Sequence, residues 1–364
     1  MADNLKDIYS RDFLLELASK VETVYSGFQT TDFVAAVLDD NWSALSVRGR
    51  SKAIAEKLGY FLPPNYEDAL EVLFKVAEDC SGFPYLFFPD FVTVFGHENR
   101  YWDLSMLALE TFTRCSSSEF AIRPFLLNDP ERTMKQMTQW ALHSNEHVRR
   151  LASEGCRPRL PWAEALPLFK ANPEPVLSIL NLLKEDRSLY VRKSVANNLN
   201  DISKDHPDLI LKTARTWLGI SSDTDWIVRR GCRTLIKNTN PDIMTLFGYV
   251  LDPKVISNAK ISSSPESVSL GEQSEFTYTI TLELKEETNL RIEYAIDFVK
   301  SNGQGSRKAF HISDKTVTGK TTLTGVKRYK WNDLTTRRHY AGHHHIVLLV
   351  NGIEVAKTAV TLSV

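Results

Sequence analysis

The stretch NEHVRRLASEGCRPRLPW, residues 145–162, shows how the first two thirds of the chain fold. Its apolar residues have the i, i+3, i+4, i+7 spacing of a buried helix face, namely Val148, Leu151, Ala152 and Gly155. Asn145 is a residue type that caps helix N-termini, so we expect the helix to begin near Glu146. Pro158 and Pro161 follow closely, and proline disfavours helix in the residue before it. The stretch therefore predicts a short amphipathic helix followed by a proline-containing loop.

The other face of this predicted helix carries charge. Arg150, Glu154 and Arg157 are four and three residues apart, so their side chains project from the same side of a helix. A carboxylate between two guanidinium groups has two interpretations. The first is a surface salt bridge, which contributes little to stability, and the second is a functional site.

The same pattern recurs along the chain. Val148-Arg149-Arg150 is repeated as Val191-Arg192-Lys193 and Val228-Arg229-Arg230, and more faintly as Val47-Arg48-Gly49. A capping-type residue precedes each of the three strong copies by three positions: Asn145, Ser188 and Asp225. A period near 40 residues with one apolar-faced helix per unit is typical of stacked HEAT or armadillo-like helical repeats.

Alignment of the copies separates what they share from what one copy has alone. Glu154 aligns with Asn197 and Thr234, so the carboxylate belongs to one repeat, whereas the basic pairs recur. Arg229, Arg233 and Lys237 also fall at i, i+4 and i+8, which predicts a basic stripe on one helix. We predict phosphate contacts for a basic track whose members are Arg149, Arg150, Arg192, Lys193, Arg229, Arg230 and Arg233. The alternatives are a solvated helix face and structural ion pairs.

Two further polar groups fall near helix ends. Glu119 follows three serines and precedes a predicted helix, and Asp201 closes a polar cluster with Asn197, Asn198 and Asn200. Both positions are consistent with simple helix capping or with solvent contact.

The composition limits the function classes. Net charge is −1 and 24% of residues are charged, so any binding to nucleic acid must rely on clustered rather than bulk charge. Four scattered cysteines without CxxC spacing favour reduced thiols over a zinc or disulfide framework. No apolar stretch approaches a membrane span, and the N-terminus lacks a signal-peptide core. We expect a cytoplasmic protein that does not contact membranes.

The hydrophobic period changes near Asp252-Pro253. Residues 254–364 alternate apolar and polar residues and are rich in Thr, Val, Ile and Tyr, with turn signals such as Asn351-Gly352. We predict an immunoglobulin-like β-sandwich there and a helical-repeat domain over residues 1–253. One predicted loop is crowded with basic and imidazole groups: Arg337, Arg338, His339, His343, His344 and His345. A metal site is one interpretation, but a strand turns His344 away from its neighbours, so we favour contact with nucleic acid and no metal.

The residues together resemble a known family. HSNEHVRRLASEGCRPRLPW and YWDLSMLALE, within helical repeats that precede a β-sandwich, closely resemble the AlkC branch of the AlkC/AlkD DNA glycosylases. The resemblance spans nearly the whole chain. It implies excision of cationic N-alkylated bases, such as 3-methyladenine and 3-methylcytosine, from double-stranded DNA by a monomer that needs no cofactor. The resemblance implies that Glu154, Glu119 and Asp201 are catalytic and that Trp162 binds the substrate. Glu154 and Trp162 match the family motif directly, while the sequence around Glu119 and Asp201 is less distinctive.

The chemistry implied by the resemblance suits these residues. An alkylated base is already a good leaving group, so a carboxylate is needed to stabilise positive charge on the sugar and to orient water. Trp162 would hold the cationic base through a cation–π contact. Arg150 and Arg157 would keep Glu154 ionised and, with Arg159, bind flanking phosphates. The absence of a lysine matching the family's pocket residues predicts a water nucleophile without lyase chemistry.

A competing hypothesis is a non-catalytic repeat scaffold that binds nucleic acid or protein through its concave face, since helical repeats do this more often than they catalyse. The two hypotheses predict different structures. A glycosylase needs its carboxylates and tryptophan together at one cleft, whereas a scaffold does not.

Overall fold

A computed structural model describes residues 5–250 and 252–364. Its contacts divide the chain into two compact units, Met1–Cys232 and Arg233–Val364. The predicted boundary after residue 253 lies close to the change from helix to strand. The contacts instead group the last two short helices with the strands.

The first unit is helical. Its α-helices are α1 (Arg11–Val24), α2 (Thr30–Val37), α3 (Val47–Phe61), α4 (Tyr66–Ala77), α5 (Phe87–Phe95), α6 (Trp102–Cys115), α7 (Arg123–Asn128), α8 (Pro130–Ala141), α9 (Glu146–Gly155), α10 (Pro167–Ala171), α11 (Glu174–Leu183), α12 (Leu189–Ile202), α13 (Pro207–Trp217) and α14 (Ser222–Gly231). The apolar stretch that precedes and includes α5, expected to be a packed connector, is largely helical, and Phe87, Phe88 and Phe91 are buried.

The repeated motif marks the helices that stack on one another. Helix α9 packs against α12, and α12 packs against α14. The caps are as predicted in two of the three copies, since Asn145 accepts from the His147 amide at 2.8 Å and Ser188 accepts from the Tyr190 amide at 3.2 Å. The prediction that Asp225 caps the helix of the third copy was wrong. Helix α14 begins earlier, with Ser221 as its cap, and Asp225 lies inside the helix, where it accepts from the Gly219 amide.

The predicted basic stripe of Arg229, Arg233 and Lys237 does not lie on one helix. Helix α14 ends at Gly231, and a separate short helix, α15 (Arg233–Lys237), follows Cys232. The two helices belong to different compact units. An i+4 spacing places side chains on one face only while the helix continues, so the stripe is interrupted.

The second unit adds α16 (Pro241–Leu246) to α15 and then becomes a β domain. Its strands are β1 (Ile256–Ser264), β2 (Ser267–Ser269), β3 (Gln273–Val299), β4 (Gly305–Lys330), β5 (Gly342–Val350) and β6 (Ile353–Ser363). Neighbours follow the order β1-β3-β5-β6-β2, with β4 paired to β3. All these pairs are antiparallel except β2 with β6.

Two of these strands are far longer than the several short strands expected. Strand β3 pairs with β1 through its first half and with β5 through its second half, and β4 follows it throughout. The register shifts between Leu284 and Thr288, where the charged run KEET interrupts the alternation. One apolar core, centred on Phe276, Ile292 and Trp331, is enclosed by the strands. The immunoglobulin-like fold class is confirmed.

Over the part of the chain that the structure describes, the longest and most apolar helices still fall short of what is needed to cross a membrane.

Candidate active site

The carboxylate of Glu154 is buried at the end of α9. Its Oε1 accepts from Arg157 Nη1 at 2.6 Å and lies 3.6 Å from Arg150 Nη2. Its Oε2 accepts from the Ser194 hydroxyl at 2.6 Å, which reaches it from α12. The predicted cluster of Arg150, Glu154 and Arg157 therefore exists, but it is not a surface salt bridge. Only 4% of Glu154 is exposed, so its charge depends on these three donors.

Arg157 joins Glu154 to Asp201. Its Nε donates to Asp201 Oδ2 at 2.8 Å, and Lys204 Nζ lies 3.1 Å from the other oxygen of Asp201. Burial by itself would lower the pKa of the Arg157 guanidinium, but the two carboxylates outweigh it and the net shift is upward. Asp201 is 2% exposed and lies behind Arg157, so it holds the arginine in place.

Glu119 reaches the same cluster through Arg150. Its Oε2 lies 2.6 Å from Arg150 Nη1 and accepts from the Ser117 hydroxyl at 2.8 Å. The Arg150 guanidinium also stacks over the Tyr190 ring at 4.6 Å. Burial opposes the charge of Arg150, but Glu119 and Glu154 together raise its pKa above the usual value. Both contacts of Glu119 use Oε2, and the residue lines the cleft described next.

A cleft of about 580 Å³ opens over this cluster. Charged groups form one part of its lining, with Glu119, Arg150, Glu154 and Arg157 among them. Aromatic and apolar groups form another part, including Phe83, Phe120, Leu160, Trp162 and Tyr190. The volume suits a planar base-sized ligand. Three of the four residues expected at one site line this cleft. Asp201 does not, and it is connected only through Arg157.

Trp162 is the most exposed of the four residues predicted for the site. It is 66% exposed, and its ring meets the Phe83 ring edge-on at 6.2 Å between centroids. Its φ of 64° lies in the left-handed region, which is a strained conformation for a bulky residue. The ring also lines two neighbouring cavities, one with Asp90 and Phe120 and one with Leu45 and Arg48. An exposed aromatic held in a strained conformation beside charged groups is typical of functional sites.

Two residues that position this site were missed in the sequence. Ser194 holds Glu154, and Arg123 is 2% exposed beneath the loop that carries Trp162. Ser194 follows the second basic pair directly, so its place in a repeat helix was available as a signal. Arg123 has no such signal, because its hydrogen bonds go to backbone carbonyl groups, which any residue supplies.

The first arginine has a structural partner in two of the strong copies of the motif and in the faint copy. Arg149 makes a two-pronged ion pair with Asp186 and donates to the carbonyls of His143 and Ser144. Arg192 repeats this contact with the carbonyls of Asp186 and Arg187, and lies 3.1 Å from Asp223. Arg48 of the faint copy pairs with Asp90 at 2.7 Å. These arginines join consecutive repeats, so we assign Arg149 and Arg192 to structure.

The other predicted phosphate-binding residues lie nearer to solvent. Lys193 and Arg230 are exposed, with Arg230 over the Trp226 ring at 5.4 Å. Arg159 pairs with Asp205 at the surface, and Arg229 is half-buried. Arg233 is exposed at the start of the second unit.

The basic loop of the second unit divides in a similar way. Arg337 packs over the Phe298 ring at 4.0 Å, whereas Arg338 is exposed. His344 is fully buried between the exposed His343 and His345, as strand alternation requires. His339 is also buried and makes a 3.1 Å contact with Tyr329. The run of histidines therefore divides between core and surface.

Comparison with known families shows two matches. Residues 115–214 match the model described as DNA alkylation repair enzyme, and this range contains Glu119, Glu154, Trp162 and Asp201. Residues 257–364 match the model described as the C-terminal Ig-like domain of an uncharacterised protein, YhaZ.

Two full-length relatives were found as well. The chain is 42% identical to the uncharacterised protein YhaZ of Bacillus subtilis (strain 168), with 97% of each chain covered. It is also similar to the alkylpurine DNA glycosylase AlkC of Pseudomonas fluorescens, whose structure is bound to DNA containing an abasic site analog. That similarity has a TM-score of 0.94 and 38% identity, and it covers 99% of each chain.

Proposed function

The chain belongs to the AlkC family of DNA glycosylases, and we propose that it hydrolyses the N-glycosidic bond of cationic alkylated bases in double-stranded DNA. The substrates we propose are 3-methyladenine and 3-methylcytosine. The observation that supports this most directly is the cleft in which two carboxylates and an exposed tryptophan meet.

The proposed reaction places Glu119 closest to the sugar. Glu154 and Asp201 have both oxygens occupied by cations or a hydroxyl and are almost fully buried. Glu119 is less buried, it lines the cleft, and its two contacts both use Oε2. As the bond to the base breaks, positive charge develops at C1′, and a nearby carboxylate stabilises it and accepts a hydrogen bond from the attacking water. Glu154 then acts by holding Arg150 and Arg157 in place.

Trp162 supplies selectivity for charge. Its exposed face beside Phe83 attracts a cationic ring by about 0.5–2 kcal/mol, and it attracts a neutral ring less. A normal base is also a poor leaving group. Both effects favour the alkylated base.

The cleft lining described by the structure contains no lysine, which supports a water nucleophile rather than a Schiff base. The product is then an intact abasic site. We propose a monofunctional glycosylase that needs no cofactor.

A non-catalytic scaffold explains the cleft less well. Charges of opposite sign are buried together at considerable desolvation cost, and the tryptophan is held strained in the open. A surface that only binds a partner needs neither feature.

The test is the release of free base. Duplex DNA treated with a methylating agent is incubated with the protein, and the released bases are separated by chromatography. We expect 3-methyladenine and 3-methylcytosine in the supernatant and uncleaved abasic strands in the pellet. DNA that is bound without release of any base would support the scaffold instead.

We propose a separate DNA contact for the immunoglobulin-like unit through Arg338. Arg337 is unsuitable for the test because its packing on Phe298 makes it part of the domain core. We expect Arg338→Ala to weaken binding of duplex DNA and leave the circular dichroism spectrum unchanged. Equal affinity of variant and wild type would place the contact elsewhere.

A further inference from the structure

The loop between α9 and α10 presents Trp162 but is weakly held by its own hydrogen bonds. It spans residues 156–166. Its internal backbone bonds include Ala163 N to Leu160 O at 3.3 Å and Leu166 N to Pro158 O at 3.1 Å. The strained φ of Trp162 favours relaxation of this loop to other conformations. Something outside the loop must hold it.

Arg123, at the start of α7, provides that support. One guanidinium donates to three carbonyl groups of the segment that begins at the end of α9. Its Nη1 donates to Gly155 O at 3.0 Å and Arg157 O at 2.9 Å. Its Nε donates to Glu164 O at 2.9 Å, and Nη2 donates to the same oxygen. The acceptors lie on both sides of Trp162 in sequence.

The charge of Arg123 has an unusual environment. Its hydrogen bonds within the described chain go to carbonyl oxygens rather than to a carboxylate, and burial lowers its pKa to about 10. It remains cationic at neutral pH. A planar guanidinium satisfies three separate carbonyls at fixed angles, which a lysine ammonium on a single nitrogen does not do. The arrangement is thus specific for arginine.

We propose that Arg123 is a positioning residue that holds the Trp162 loop in the conformation needed for recognition of the alkylated base. This inference rests on the proposed function. Arg123 does not line the cleft itself. It fixes the distance between the tryptophan ring and the carboxylates, and a displacement of about 1 Å in such a site lowers the rate by about 10²-fold.

The experiment is a double-mutant cycle between Arg123 and Trp162. Single-turnover excision of 3-methyladenine is measured for wild type, Arg123→Lys, Trp162→Ala and the double variant. We expect Arg123→Lys to slow excision by about 10²-fold in the wild-type background. In the Trp162→Ala background the same substitution is expected to change the rate by less than about threefold, because the ring it positions is gone.

Arg50→Lys is the matched control for Arg123→Lys. Arg50 is a buried arginine that donates to the Lys6 carbonyl and stacks on Trp42, and it does not line the cleft. We expect it to lower the melting temperature without changing the excision rate of the folded protein. Arg123→Met, which removes the charge as well, is measured as a second variant if it folds. If it does not fold, the conclusion rests on Arg123→Lys, which keeps the buried charge.

The outcomes distinguish failure of the positioning role of Arg123 from failure of the proposed glycosylase function. Equal slowing by Arg123→Lys in both backgrounds would overturn the positioning role, because a general structural defect is additive with loss of the ring. Full activity of Arg123→Lys would overturn it as well. A wild-type protein that released no base would overturn the proposed function, and the inference with it.

Discussion

Replacement of Glu119 by glutamine tests our proposal that this carboxylate acts on the sugar while Glu154 and Asp201 support the site. The substitution keeps the shape of the side chain and an oxygen for Arg150 and Ser117, and it removes the negative charge. A carboxylate about 4 Å from a unit positive charge at an effective dielectric constant of about 20 contributes about 4 kcal/mol. The transition state carries part of that charge. Since 1.36 kcal/mol corresponds to a factor of ten, we expect excision to slow by about 10²–10³-fold.

Glu154→Gln is the informative comparison. Glu154 is almost completely buried between two guanidinium groups and a hydroxyl, so the substitution leaves Arg157 and Arg150 with one countercharge fewer. Breaking a buried ion pair in this way costs about 3–5 kcal/mol of stability. We therefore expect Glu154→Gln to lose excision and to lower the melting temperature clearly. Glu119→Gln should lose excision with a much smaller change in melting temperature.

The assay is single-turnover release of 3-methyladenine with enzyme in excess, at a temperature where all proteins are folded. Affinity for unmodified duplex DNA is measured in parallel, and we expect it to change little in both variants. Wild-type rates in Glu119→Gln would refute the assignment of Glu119 to the sugar. Wild-type rates in Glu154→Gln would remove the buried cluster from the mechanism.

Three further predictions concern other parts of the molecule. Ser194→Ala should slow excision by about tenfold through loss of a charged hydrogen bond to Glu154 worth about 1.5–3 kcal/mol, and Ser194→Thr should restore most of the rate; no rescue would indicate a packing defect. Lys193→Ala should reduce the log–log salt dependence of DNA binding by about one unit, and an unchanged slope would mean that no phosphate is bound there. Burial lowers the pKa of His344, whose Nδ1 accepts from the Val299 amide and whose Nε2 donates to the Tyr340 carbonyl. Its unfolded pKa is therefore the higher one, and the free energy of unfolding should fall as pH drops below about 6.5. Denaturant titrations at several pH values should show a weaker pH dependence in His344→Gln than in the exposed control His345→Gln.

The sequence alone predicted the division into helical repeats and an immunoglobulin-like domain, because hydrophobic period is a local property of the chain. It also predicted the helix that begins near Glu146 and the pairing of Arg150, Glu154 and Arg157, since those contacts are three and four residues apart. The length of β3 and β4 was not predicted. Strand pairing between distant segments continues across the charged interruption, and the register shift that allows this is a tertiary feature.

Only the tertiary structure decided which charges face the cleft. Arg149 and Arg150 are adjacent in sequence, yet one joins repeats through Asp186 and the other holds Glu119 and Glu154. A helix turns about 100° between neighbouring residues, so the partner of each is set by the helix packed against that side. For the same reason, the sequence does not reveal the partners of Ser194 and Arg123. Their partners lie 40 and about 30 to 40 residues away and are, for Arg123, backbone carbonyls with no identity of their own.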